Sequence, residues 1–141
     1  KSSFITFFYA EIDRNREEVL YVNAGHNPPL LLRTDGSLEK LESTGFCLGM
    51  FPSAVFETKS VRMKVGDIAL LYSDGIPDSR NGDDAEYSMD RLISLLRRLS
   101  HLSAAAIVSA IAEDAKSFIG DARQFDDQTL VVVKRTAAGA I

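Results

Sequence analysis

With 141 residues and 45% hydrophobic content, the chain is long enough for one domain with a sizeable core and too apolar to be mainly disordered. A formal charge of -4 and sixteen scattered Lys and Arg, without a dense basic block, argue against a nucleic-acid footprint. The one cysteine, Cys47, excludes an intrachain disulfide and paired Cys/His zinc spacing, and no apolar run approaches the roughly 18 residues of a bilayer span, so a reducing, cytoplasmic setting without membrane insertion in this segment is the default.

The opening Lys1 to Thr6 is not built like a signal peptide, and its start in mid-strand is expected of a fragment of a longer protein. Residues 4–12 are rich in Phe, Ile, Thr and Tyr with both alternating sets mostly apolar, which predicts a strand buried on both faces. Asp13-Arg14-Asn15-Arg16-Glu17 turns it into a second strand at 19–23, an antiparallel hairpin; the turn lacks the glycine and terminal ligand of a calcium loop. Asn23-Ala24-Gly25-His26-Asn27-Pro28-Pro29 forces irregular backbone around a lone histidine, a residue more often hydrogen-bonded for structure than used as a ligand. Leu30 to Arg33 and Leu38 to Leu41 flank Asp35-Gly36, a strong hairpin signal. Gly45 to Pro52 reads as a tight apolar loop in which Cys47 is a small packed side chain, and 56–63 alternates as a half-buried strand.

Asp67-Ile68-Ala69-Leu70-Leu71-Tyr72-Ser73-Asp74-Gly75 is an apolar run too short and too punctuated for a core helix. It predicts a buried strand delivering Asp74 to its end, although Asp-Gly is also a common turn dipeptide. The polar segment 79–86 is expected to be a mobile surface loop able to cover that acid. Ser88 is expected to cap a helix through Leu99 with Leu92, Leu95, Leu96 and Leu99 on one face. Ser103 caps a second, with Ile107, Ile111, Ala115 and Phe118 inward and Gly120 at its end. Asp126-Asp127-Gln128-Thr129 then enters a strand over 129–135, and residues 136–141 read as a frayed tail. If strands 67–73 and 129–135 are antiparallel neighbours, Asp74 and Asp126 meet at one rim. Two carboxylates there repel unless a cation lies between them, and hard oxygen donors select Mg²⁺, Mn²⁺ or Ca²⁺.

Taken together, Phe4 to Ala10, Asn23 to Pro29, Gly66 to Gly75 and Asp126 to Thr129 resemble a bacterial PPM-type (phosphatase 2C-like) serine/threonine phosphatase. The resemblance is to the branch of the stage II sporulation protein E and the phosphatases that regulate sigma factors, and it runs from residue 4 to about 135. It implies an α+β fold, a mostly antiparallel αββα sandwich, of which this chain is the C-terminal portion. The family's first metal motif, an aspartate before a glycine-histidine-glycine turn, is not in this chain, nor are the N-terminal strands and helix pair that accompany it. By motif position Asp74 and Asp126 correspond to metal ligands, with Gly75, Asp78, Asp127 and His26 near the same site.

The resemblance further implies two Mn²⁺ or Mg²⁺ ions in the complete domain, a phosphoprotein substrate such as an anti-anti-sigma-type regulator, and hydrolysis of phosphoserine or phosphothreonine by metal-activated water. Phosphate-monoester hydrolysis is among the slowest uncatalysed reactions, so charge neutralisation and a hydroxide source are the chemistry it demands. Without the bridging aspartate, the segment alone is expected to bind metal weakly and turn over little. The alternative is an inactive module that uses the same fold for regulatory protein binding. One helix pair shields only one outer face of a two-sheet sandwich, so the segment is also expected to associate as a homo-oligomer.

Overall fold

The computed structural model describes residues 3–13 and 15–137. In chain order the elements are β1 (Phe7–Asp13), β2 (Glu18–Ala24), β3 (Leu30–Leu32), β4 (Leu38–Lys40), β5 (Lys59–Arg62), β6 (Ile68–Tyr72), α1 (Met89–Leu99), α2 (Ala104–Ile119) and β7 (Leu130–Lys134). They form a three-stranded sheet ordered β1-β2-β5 and a four-stranded sheet ordered β4-β3-β6-β7, with every pairing antiparallel. Residues 138–141 of the expected frayed tail lie outside the described residues; Thr136 and Ala137 follow β7 as exposed coil.

Strand periodicity sorts the apolar runs into two cores. Leu30 and Leu32 of β3 and Ile68, Leu70 and Tyr72 of β6 face Leu92, Leu95 and Leu96 of α1 and Ile107, Ile111 and Ala115 of α2. Between them, Leu31 points the opposite way, into a cluster with Val19, Tyr21, Leu41 and Met63 that also takes Phe8, Ala69 and Val133. The four-stranded sheet is therefore buried on both faces, by helices on one and by the second sheet on the other, which is why β3 is a run of three consecutive leucines.

The strand expected over residues 4–12 to be buried on both faces is not. β1 is an edge strand whose Phe8 stacks on Tyr21 at 5.8 Å, while the other row, Phe7 and Tyr9, is 50% and 54% exposed. No layer of the described chain covers the outer face of this sheet, where Leu20 of β2 also lies open. The strand expected at 56–63 begins only at Lys59, because Glu57 N donates to Thr44 O and the Phe56 ring packs on Gly45. Segment 79–86 is a closed loop: Arg80 bridges to Glu86, and Asn81 Oδ1 accepts from Asp83 N and Ala85 N. Cys47 packs as expected, since a Cβ on Gly25, at φ +70°, would lie 2.5 Å from its Sγ.

Both helices start and stop where cap chemistry directs. Ser88 Oγ accepts from Arg91 N and Ser103 Oγ accepts from Ala106 N, while Gly120 ends α2 with φ 58°. Lys134 Nζ donates to Ser100 O and Leu102 O, both at 2.7 Å, satisfying carbonyls where α1 ends. The helices are pinned together by Asp114, which accepts from Tyr87 Oη at 2.6 Å and from Arg91 Nε and an Arg91 terminal nitrogen at 2.9 Å each.

The hydrogen bonds from Arg91 hold the Asp114 carboxyl below its usual range, against partial burial, with a smaller contribution from Tyr87. Burial, then Asp114, pushes the Tyr87 hydroxyl well above its ordinary value. A carboxylate whose folded value lies below its unfolded value near ~3.9 stabilises fully above that pH and loses the contribution as pH falls through the folded value. Asp114→Asn is therefore expected to shrink the loss of stability between neutral pH and about pH 3, seen as a smaller shift in urea midpoint. An unchanged acid shift in the variant would show that the cluster does not couple folding to pH.

Candidate active site

The exit of β6 and the entry of β7 are laced together. Ser73 N donates to Thr129 O at 3.1 Å, Ser73 Oγ accepts from Thr129 N at 2.9 Å, and the same hydroxyl donates to Asp127 O at 2.8 Å. Gln128 Nε2 donates to Gly75 O at 3.0 Å. The two backbones touch at Gly75, where a Cβ would sit 2.3 Å from Asp127 O and 3.3 Å from the carbonyl carbon of Asp126. The obstacle is backbone held by the neighbouring strand, so Gly75→Ala is expected to destabilise by about 1–3 kcal/mol, as overpacking does, and to displace residues 126–127. Chemical denaturation checks the first effect and amide shift changes confined to residues 73–79 and 124–130 the second.

Beyond Gly75 the chain makes a helical turn in which Asp78 N donates to Asp74 O at 3.0 Å. That bond sets Asp74 and Asp78 at the two ends of a single turn. Ile76 and Pro77 are buried beneath them and anchor the turn. On the β7 side, Asp126 Oδ1 accepts from Asp127 N at 2.7 Å and Asp126 O accepts from Gln124 Nε2 at 2.8 Å, which fixes that loop locally.

Asp74, Gly75, Asp78 and Asp126 line one cavity of about 200 Å³, together with Ser79, Arg80, Ile119, Arg123, Gln124 and Phe125. The three carboxylates are exposed. Ile119 is the last residue of α2, so the negative end of that helix dipole adds to the attraction of the cavity for a cation. Asp127 lies against Gly75 through its backbone and is not among the lining residues. Neither is His26, whose Nδ1 is 3.2 Å from Thr6 Oγ1 and whose N donates to Asn23 Oδ1. The antiparallel register Leu30↔Leu70 still brings the His26 loop to the end of the sandwich where Asp74 emerges.

As a metal site the donor set is right in kind: exposed carboxylate oxygens suit Mg²⁺ or Mn²⁺. Among the described residues, no three His, Cys, Asp or Glu side chains are grouped closely enough to hold an ion by themselves. Ser73, Gln128 and Arg123 are the residues sequence reasoning missed. A hydroxyl and an amide directly beside the two acidic motifs were the available signal for the first two; for Arg123 there was none.

The family model described as Stage II sporulation protein E (SpoIIE) matches residues 1–136. The chain belongs to the SpoIIE family. Protein IcfG of Synechocystis sp. is 32% identical over 133 residues, covering 94% of this chain and 21% of that protein. Phosphoserine phosphatase RsbU of Bacillus subtilis is 30% identical over 139 residues, covering 95% of this chain and 40% of that protein. The SpoIIE-family segment thus spans between about a fifth and two fifths of these curated relatives. Among solved structures, the SiaA-PP2C domain of Pseudomonas aeruginosa superposes with a TM-score of 0.79 at 18% identity, covering 92% of this chain and 51% of that one. That likeness establishes the α+β, PP2C-like fold of the SpoIIE-family chain. Among its described residues no helix is long and apolar enough to cross a membrane.

Proposed function

We propose that this chain carries part of the active site of a Mn²⁺- or Mg²⁺-dependent phosphatase acting on phosphoserine or phosphothreonine of a signalling protein, an anti-anti-sigma-type regulator being the kind of substrate. The observation that carries the reading is the meeting of Asp74, Asp78 and Asp126 on one water-accessible cavity, on backbones joined through Ser73, Gln128 and the Gly75 contact. Relatedness to a protein named a phosphoserine phosphatase supports the reaction class.

Asp74 and Asp126 would hold the ions, with Asp78 beside them and further donors from water, substrate or protein outside this segment. Bound there, divalent ions supply a hydroxide at neutral pH and neutralise phosphoryl oxygens. The chain's own part is to hold the carboxylates apart from the core and open to water, which the buried Ile76 and Pro77 and the Ser73 hydroxyl accomplish. Both nearby serines are otherwise engaged: Ser73 Oγ with Asp127 O and Thr129 N, and Ser79 Oγ with Ile76 O at 2.7 Å. No histidine or cysteine is among the described lining residues, so neither an imidazole nor a thiol nucleophile is offered there, and with the aspartates assigned to the ions the reading is attack by water.

The deciding experiment measures phosphate release from a phosphoserine protein by the full-length protein, with Mn²⁺ and after chelation. Release that needs the metal is expected; none under either condition would overturn the proposal in favour of a binding module. For the segment alone, two or three acids supply few ligands, so calorimetry is expected to show weak Mn²⁺ binding. The open face bearing Phe7, Tyr9 and Leu20 also supports the expected self-association. Light scattering should give a mass above that of one chain at micromolar concentration, and a stable monomer would sink that expectation.

A further inference from the structure

The acidic cavity is also lined by two arginines, Arg80 and Arg123, and they are in different situations. Arg80 is engaged by Asp84, at 3.3 Å, and Glu86, at 3.6 Å. Arg123 is exposed and makes no ion pair or side-chain hydrogen bond among the described residues, although it lines the same cavity as three carboxylates. Its backbone is held in a short connection: Ala122 N donates to Ile119 O on one side, and Gln124 clips Asp126 O on the other.

We propose that Arg123 is the residue that engages the substrate's phosphate, its guanidinium taking phosphoryl oxygens from the α2 side while the carboxylate side of the cavity faces them through the ions it holds. The inference rests on the metal-dependent reading above. A planar guanidinium pairs bidentately with phosphate and is weakly hydrated, so an unpaired one at a cavity mouth suits a phosphoryl dianion. The cavity, at about 200 Å³, is of a size to take a phosphorylated side chain, and Arg123 on its wall is placed to recognise the group. The competing account is that Arg123 only offsets the negative end of the α2 dipole. That role needs a positive charge but no fork of donors, and it would appear in stability instead of in substrate binding.

In the full-length protein, Arg123→Met is expected to raise KM for a phosphoserine peptide and the inhibition constant of inorganic phosphate by about ten- to a hundred-fold, the range for hydrogen bonds to charged groups. Mn²⁺ affinity by calorimetry should be unchanged or slightly tighter, because a neighbouring cation has been removed. Arg123→Lys keeps the charge but loses the fork, and is expected to recover only part of the KM. Full recovery by Lys, or unchanged KM and phosphate inhibition in Met, would overturn the proposal. Should the wild type turn nothing over, the metal-dependent reading itself fails. Binding still decides the Arg123 claim then: phosphorus NMR of inorganic phosphate with Mg²⁺ present should broaden with wild type and not with Arg123→Met, and equal broadening would overturn it.

Discussion

Asp74→Asn and Asp126→Asn in the full-length protein are each expected to lower metal-dependent phosphate release by roughly a hundred-fold or more, with the fold intact. The proposed ions contribute several kcal/mol of transition-state charge stabilisation, and every ~1.4 kcal/mol lost is a factor of ten in rate. Each substitution removes one of the few negative charges that attract them. Folding should survive because both side chains are exposed, and because an asparagine Oδ1 can still accept from Asp127 N as Asp126 does at 2.7 Å. The check is turnover at saturating Mn²⁺ alongside a urea midpoint. Near-normal turnover in either variant removes that residue from the mechanism; lost turnover with a collapsed midpoint would show a structural role instead.

Arg33→Met is expected to destabilise the chain by about 3–5 kcal/mol, the range for breaking a buried ion pair by deleting one partner. Asp67 is 1% exposed at the entry to β6 and accepts from an Arg33 terminal nitrogen and Lys64 N, both at 2.9 Å, and from Thr34 N at 3.3 Å. The same guanidinium donates to Arg62 O and Glu39, tying the β3–β4 hairpin to the end of β5. Without Arg33 the Asp67 charge stays buried with only two backbone donors. Adding Asp67→Asn to Arg33→Met removes that charge and keeps one acceptor oxygen for Lys64 N or Thr34 N, which donate to different oxygens of Asp67, so the double variant should recover part of the loss. Urea denaturation of the four proteins forms the cycle, and purely additive losses would show that the pair is not coupled.

Local patterns carried the helices and the strands β6 and β7, while the antiparallel pairing of those two strands entered the sequence reading only as a condition. Ser88 and Ser103 sit one residue before α1 and α2, Gly120 one residue after, and the leucine and isoleucine spacings name the faces that bury. Such features are readable because caps and 3.6-residue periodicity act over a single turn and need no distant partner. Asp74 at the end of one apolar strand and Asp126 before another were legible for the same reason, as was the likeness of the ordered motifs to one family. Exposure of β1 was not: Phe4 to Ala10 states hydrophobicity, but whether a second layer lies over that face depends on what else packs there. Arg33 with Asp67 was equally hidden, because thirty-four positions separate two charges that become partners only once β3 and β6 pair. At the site, composition and order determined which residue types were available, acids next to glycine and threonine at strand ends. Only the tertiary structure decided that Asp127 turns its backbone to Gly75, that Ser73 and Gln128 join the two loops, that His26 bonds Thr6, and that Arg123 lines the cavity with no ion pair among the described residues. Those are contacts across 20 to 56 positions, set by sheet register and not by any local preference.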